Sequence, residues 1–168
     1  MQIALPSLAL LLSGLAAAQN SSSLAPTLSA YEQIRNTLAT EAFLLDTRDL
    51  TNLGQVYTDD ATIQFGSEEP HSGIADIIAF EQVALNNTFT LVHTYVNSLI
   101  SFSEDGSANS TSYATWNKLG NVNDGYFQQT WAKYFDTLVQ ADGTWKFQTR
   151  TVQILFGPLS SNLTDGGL

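Results

Sequence analysis

Apolar side chains at Tyr31, Ile34, Leu38, Ala42 and Leu45 recur at the three- and four-residue spacing of one helix face. Ser29, with Glu32 three residues on, makes a capping-box pair, and the pattern predicts a helix from Ala30 to Asp46. The polar run Asp46-Thr47-Arg48-Asp49 breaks it. A short second helix is expected through Leu50, Leu53, Val56 and Tyr57, capped by Asp49 or Asp46 and ended by Asp59-Asp60. Ala61 to Gly66 alternates as a short strand, Gly66 to Gly73 with Pro70 reads as a loop, and Ile74, Ile77, Ile78, Phe80, Val83 and Ala84 mark a third helix ending at Leu85.

Beyond Asn87 the pattern changes to strands. Phe89–Ser103, Ser110–Leu119, Tyr126–Val139 and Thr144–Phe156 are rich in Thr, Val, Tyr, Phe and Trp, with turn signals at Asp105-Gly106, Asn123-Asp124-Gly125 and Asp142-Gly143. Helices first and then one antiparallel meander is an α+β arrangement, and strands this long curl around the helices.

The N-terminus follows neither pattern. Ile3 to Leu15 is an uncharged, mostly apolar run, followed by Ala16-Ala17-Ala18 and a polar stretch, which reads as a secretory signal peptide over residues 1–18 with a linker at 19–28. A membrane anchor is the competing reading, but the run is shorter than the roughly 20 residues that span a bilayer. The domain then occupies residues 29–160 and a tail residues 161–168. Secretion gives meaning to the acceptor sequons at Asn20, Asn86, Asn109 and Asn162, where glycans are expected on loops of an extracellular eukaryotic protein.

Composition narrows the classes. The 168 residues carry a formal charge of −10, and the six basic residues are scattered, which argues against nucleic-acid or anionic-membrane partners. With no cysteine there is no disulfide, thiolate metal site or cysteine nucleophile, and two histidines leave little for a zinc site, so no metal is expected. A secreted domain without staples must rely on its core. No Gly-x-Ser-x-Gly, Gly-x-Gly-x-x-Gly or P-loop motif occurs.

Two residues carry the candidate chemistry. In Thr90-Leu91-Val92-His93-Thr94-Tyr95-Val96-Asn97, period-2 alternation places Leu91, His93, Tyr95, Asn97 and Leu99 on one face. If that face is concave, His93 and Asn97 enter an apolar pocket suited to a small molecule. Histidine exchanges protons near neutral pH, although a histidine satisfied within the sheet is the equal alternative. Asp46 opposes the dipole at its helix C-terminus and needs another partner. If it reaches His93 it fixes the ring's tautomer and steadies the imidazolium. Tyr57, Trp116, Trp131, Tyr134 and Trp145 line the pocket or fill the core, Trp145 reading as core. Arg150 reads as a surface or rim ion pair.

The ordered set Tyr31-x-x-Ile34, Ala42 through Asp46 to Leu50, Val56-Tyr57-Thr58-Asp59-Asp60-Ala61, Gly73-Ile74, His93-x-x-x-Asn97, and Gly143-Thr144-Trp145-Lys146-Phe147 with Arg150 resembles the SnoaL-like branch of the nuclear transport factor 2-like superfamily. The resemblance covers essentially the whole mature chain. It implies a cone-shaped α+β barrel, with three N-terminal helices packed in a strongly curved antiparallel sheet around a deep pocket. Members such as scytalone dehydratase and hexachlorocyclohexane dehydrochlorinase use an aspartate–histidine dyad, matched here by Asp46 and His93. The implied chemistry is cofactor-free elimination, isomerisation or cyclisation. Scytalone dehydratase's second histidine falls at Ala114 and its tyrosine pair at Leu45 and Phe65, so that substrate is not implied.

Three functions follow as expectations. The first is a secreted lyase or isomerase with His93 and Asp46 catalytic and Asn97, Tyr57, Trp131 and Tyr134 holding a small apolar substrate. The second is a binding protein that needs the pocket and not the dyad. The third is an interaction protein that forms a homodimer through its open sheet face. The distance between Asp46 and His93 separates the first from the second.

Overall fold

The computed structural model describes residues 27–87, 89–120 and 125–162. The expected signal segment, most of the expected linker and the residues beyond Asn162 lie outside them. Helix α1 (Ala30–Thr47) begins at the expected capping box: Ser29 Oγ accepts from the Glu32 amide at 3.3 Å, and Glu32 Oε2 accepts from the Ser29 amide at 2.8 Å. Those bonds hold the Glu32 carboxyl below its ordinary range. A 3-10 segment (Leu50–Gln55) follows, then β1 (Tyr57–Phe65), β2 (His71–Ser72), α2 (Ile74–Ala84), β3 (Thr90–Phe102), β4 (Ala108–Leu119), β5 (Tyr126–Ala141) and β6 (Thr144–Asn162).

Three expectations change. The second helix is a 3-10 turn, whose period of three the spacing Leu50, Leu53, Val56 fits, and Tyr57 opens β1 instead. Asp49 stands at its N-cap without a side-chain cap, because its carboxylate accepts from the Asn52 amide group at 2.8 and 3.0 Å. The six-stranded sheet, ordered β2-β1-β6-β5-β4-β3, is mixed: β1 runs parallel to β6 and every other pair is antiparallel.

Bulges bend the sheet. Register shifts between Tyr95 and Asn97 on β3, and at Gln129–Ala132 and Thr137–Leu138 on β5, turn a flat ribbon into a curved wall. Helix α1 packs into the concave face through Ile34, Leu38 and Leu45, with Leu53, Ile63, Ile77, Leu138 and Phe147 completing the core. The convex face carries Val96, Leu99 and Phe156, all exposed. At the C-terminus of α1 the left-handed cap residue Arg48 ties the helix to the α2–β3 loop, donating to Leu85 O, Asn87 O and Phe89 O at 3.2, 3.2 and 2.6 Å. That latch fixes the last turn of α1, which carries Asp46, against the start of β3, which carries His93.

Candidate functional site

Asp46 and His93 meet. Asp46 Oδ1 lies 2.6 Å from His93 Nδ1, and both carboxylate oxygens accept from the His93 backbone amide at 3.0 Å. The backbone bond locks the carboxylate in place before the ring is considered. A carboxylate only accepts, so Nδ1 carries a proton, and in the neutral ring the lone pair is then on Nε2.

His93 forms the wall between two spaces. Asp46 lies on an outer groove of about 220 Å³ between α1 and β3, together with Arg35, Phe43 and Ser98. On the other side is an inner cavity of about 110 Å³, lined by apolar Leu45, Ile63, Phe65, Phe80, Leu91 and Trp116 and by polar Glu41, Glu81, His93, Lys118, Tyr134 and Arg150. His93 lines this cavity as well as the groove, with its Nδ1 held by Asp46.

Two kinds of polar group share the cavity. Arg150 is 2% exposed and is bound on both sides: Nε and Nη2 donate to Asp136 at 2.7 and 3.2 Å, and Nη1 donates to Glu41 Oε1 at 2.8 Å. Its plane rests on Phe147, 4.1 Å from the ring centre, and on Tyr134 at 4.7 Å. Tyr95 Oη donates to Glu41 Oε2 at 2.8 Å and Tyr57 Oη to Glu41 Oε1 at 3.2 Å. Burial holds both phenols well above tyrosine's ordinary range, so they remain donors. The surface or rim ion pair expected for Arg150 is instead the centre of a buried network.

Glu81 is different. It is 6% exposed on α2, faces the same cavity, and no described residue hydrogen-bonds its carboxyl. Burial, reinforced by Glu41, pushes that carboxyl up to about 7 against the pull of His93 and Arg150. Among the described residues no three His, Asp or Glu side chains converge to hold a metal ion.

The model of the SnoaL-like domain matches residues 26–151. The chain belongs to the SnoaL-like domain family. No curated protein matches it. Among solved structures, a candidate scytalone dehydratase from Novosphingobium aromaticivorans is 19% identical, with a TM-score of 0.67 over 79% of this chain and 86% of that one. A hexachlorocyclohexane dehydrochlorinase, LinA type 2, is 16% identical, with a TM-score of 0.67 over 83% and 92%. A nuclear transport factor 2-like protein with a cystatin-like fold, also from N. aromaticivorans, is 16% identical, with a TM-score of 0.65 over 76% and 83%. At these identities the likeness is one of fold, the cone-like curved sheet described above.

Within this SnoaL-like domain the structure sorts the other candidates. Tyr134 lines the cavity. Tyr57 does not: it is 2% exposed and its hydroxyl is committed to Glu41. Asn97 is exposed on the outer face, because the bulge after Tyr95 inserts one residue and reverses the alternation. Ser98 and Ile100, not Asn97 and Leu99, continue the inward face. Trp131 pairs with Thr115 on the outward face, and its indole Nε1 donates to Gln129 Oε1 at 3.0 Å. The tryptophan at the cavity is Trp116, the cross-strand partner of His93, and that pairing was the signal for it.

The sequons fall in unlike places. Asn86 is exposed in the α2–β3 loop. Asn109 lies within β4, where its Nδ2 donates to Ser103 Oγ at 3.2 Å, contrary to the expectation of a loop. Asn162 ends β6, and Asn20 lies outside the described residues.

Proposed function

We propose that this SnoaL-like domain is a cofactor-free lyase or isomerase in which His93 removes a proton from carbon and Asp46 orients the ring and balances the imidazolium. The observation that carries the reading is the 2.6 Å contact between Asp46 Oδ1 and His93 Nδ1, which leaves Nε2 for the inner cavity. Support comes from two structural neighbours named as a dehydratase and a dehydrochlorinase, enzymes that eliminate across a carbon–carbon bond. The cavity's apolar lining suits a small organic molecule, with Trp116 and Tyr134 against it.

Hydrogen–deuterium exchange at the α-carbon of cyclopentanone and cyclohexanone, followed by NMR in D2O, tests the base without knowledge of the natural substrate. Exchange is expected to fall at least about a hundredfold in His93→Ala and Asp46→Asn while circular dichroism and melting are preserved. Exchange that survives in His93→Ala overturns the reading, and ketone binding without exchange in the wild type favours a binding protein with the same cavity. The proposal includes export, on the strength of the N-terminal run and the sequons, and a homodimer through the exposed convex face. The intact mass of the chain recovered from a culture medium and its sedimentation at working concentration check these two parts.

A further inference from the structure

Glu81 has no place in the dyad, yet α2 carries it into the same cavity. It lies on the stripe Ile77, Glu81, Leu85, at positions a core-facing helix gives to apolar side chains. A buried carboxyl without a hydrogen-bond partner costs stability, and such a group points to a function. We infer that Glu81 is the acid of this cavity, donating its carboxyl proton to an oxygen of a bound single-ring molecule while His93 takes a proton from carbon. The inference rests on the reading of His93 as the base, and it adds the substrate class and a second catalytic residue.

Charges around Glu81 support the assignment. The titratable groups lining the cavity with it are Glu41 from α1, His93 from β3, Lys118 from β4, Tyr134 from β5 and Arg150 from β6, while β1 presents only Ile63 and Phe65. Arg150 is already engaged by Asp136 and Glu41, which leaves little of its charge for a third carboxylate. The carboxyl, pushed up to about 7 chiefly by burial, carries a proton to donate up to about that pH.

Size sets the molecule. The cavity holds about 110 Å³, and an apolar cavity of roughly 150 Å³ takes a benzene. That size matches one small ring, and an oxygen on it would face Glu81. In an elimination the C–H electron pair becomes the new double bond as its proton passes to His93 Nε2. The C–O bond breaks with its pair on oxygen, and the proton of Glu81 makes that oxygen part of a water molecule. The imidazolium returns its proton to the Glu81 carboxylate through solvent. With a ketone the same two groups make and unmake an enol.

Cyclopentanone exchange in D2O by the whole protein is the test. Glu81→Gln keeps the shape and a hydrogen-bond donor but has no proton to give, so the rate is expected to fall about a hundredfold. Wild-type exchange should decline as pH rises through about 7, and that limb should be absent in Glu81→Gln, which a purely structural role would not produce. An unchanged rate and profile in Glu81→Gln, with exchange still lost in His93→Ala, overturns the acid and leaves the base standing. Exchange that survives in His93→Ala overturns both. If the glutamine variant does not fold, carbon-13 carboxyl signals of the labelled wild type decide: one glutamate titrating near 7 and moving on cyclopentanone binding supports the assignment, and titration of every glutamate below about 5 overturns it.

Discussion

Two polar clusters border one cavity and differ in whether their hydrogen-bonding capacity is used up. Around Arg150, Asp136 and Glu41 take the guanidinium from two sides, and Tyr57 and Tyr95 complete Glu41. Across the cavity, His93 has one nitrogen committed to Asp46 and one open, and Glu81 has no partner among the described residues. A closed network specifies a packing, whereas open valences in an apolar space are what a reacting molecule uses. The cone thus keeps its structural charges and its chemical ones within one small space.

Breaking the closed cluster should have the largest effect. Arg150→Met removes the cation and leaves Asp136 and Glu41 buried without compensation, a loss of about 3–5 kcal/mol. In that variant nothing offsets the burial that already raises the Asp136 carboxyl, so folding takes up a proton there and the deficit grows as pH rises. Urea unfolding at pH 5 and pH 8 would show it. A variant within about 1 kcal/mol of wild type at pH 8 would mean that the cluster does not hold the fold.

The open cluster should cost stability in its resting state. Glu81 has a folded value of about 7 against 4.5 in the unfolded chain, so between those values the folded state holds a proton that the unfolded state has released. Its contribution to stability is intact below pH 4.5 and is lost as pH rises through about 7, on the order of 3 kcal/mol in all. This is opposite in sign to a salt-bridged carboxylate. Subtracting the pH dependence of Glu81→Gln from that of wild type isolates the effect, and parallel curves would show that Glu81 is not held neutral.

Parts of this contrast were legible in the sequence. Asp46 and His93 each stand out locally, one as an acid at the wrong end of a helix and the other as a proton carrier in an apolar strand. Asn97 could not be placed, because alternation counts residues and the bulge at Val96 adds one. The parallel pairing of β1 with β6 leaves no turn signal. Arg150 meets Glu41 across more than a hundred residues, a pairing that only the fold determines. Yet Glu41 and Glu81 each interrupt an apolar stripe, Leu38-Glu41-Leu45 and Ile77-Glu81-Leu85, and an acid on a core-facing stripe must be buried.

Two tyrosines divide along the same line and give the smallest, sharpest test. Tyr57 donates to Glu41 and does not line the cavity, whereas Tyr134 lines it. Tyr57→Phe should remove a hydrogen bond to a buried carboxylate, costing about 1.5–3 kcal/mol with ketone exchange unchanged. Tyr134→Phe should cost less than about 1 kcal/mol and slow exchange severalfold, since Tyr134 lines the cavity and can meet a bound molecule there. Melting curves and exchange rates on the two variants suffice. If both variants lose stability and activity together, the two clusters act as one network and the division between closed and open fails.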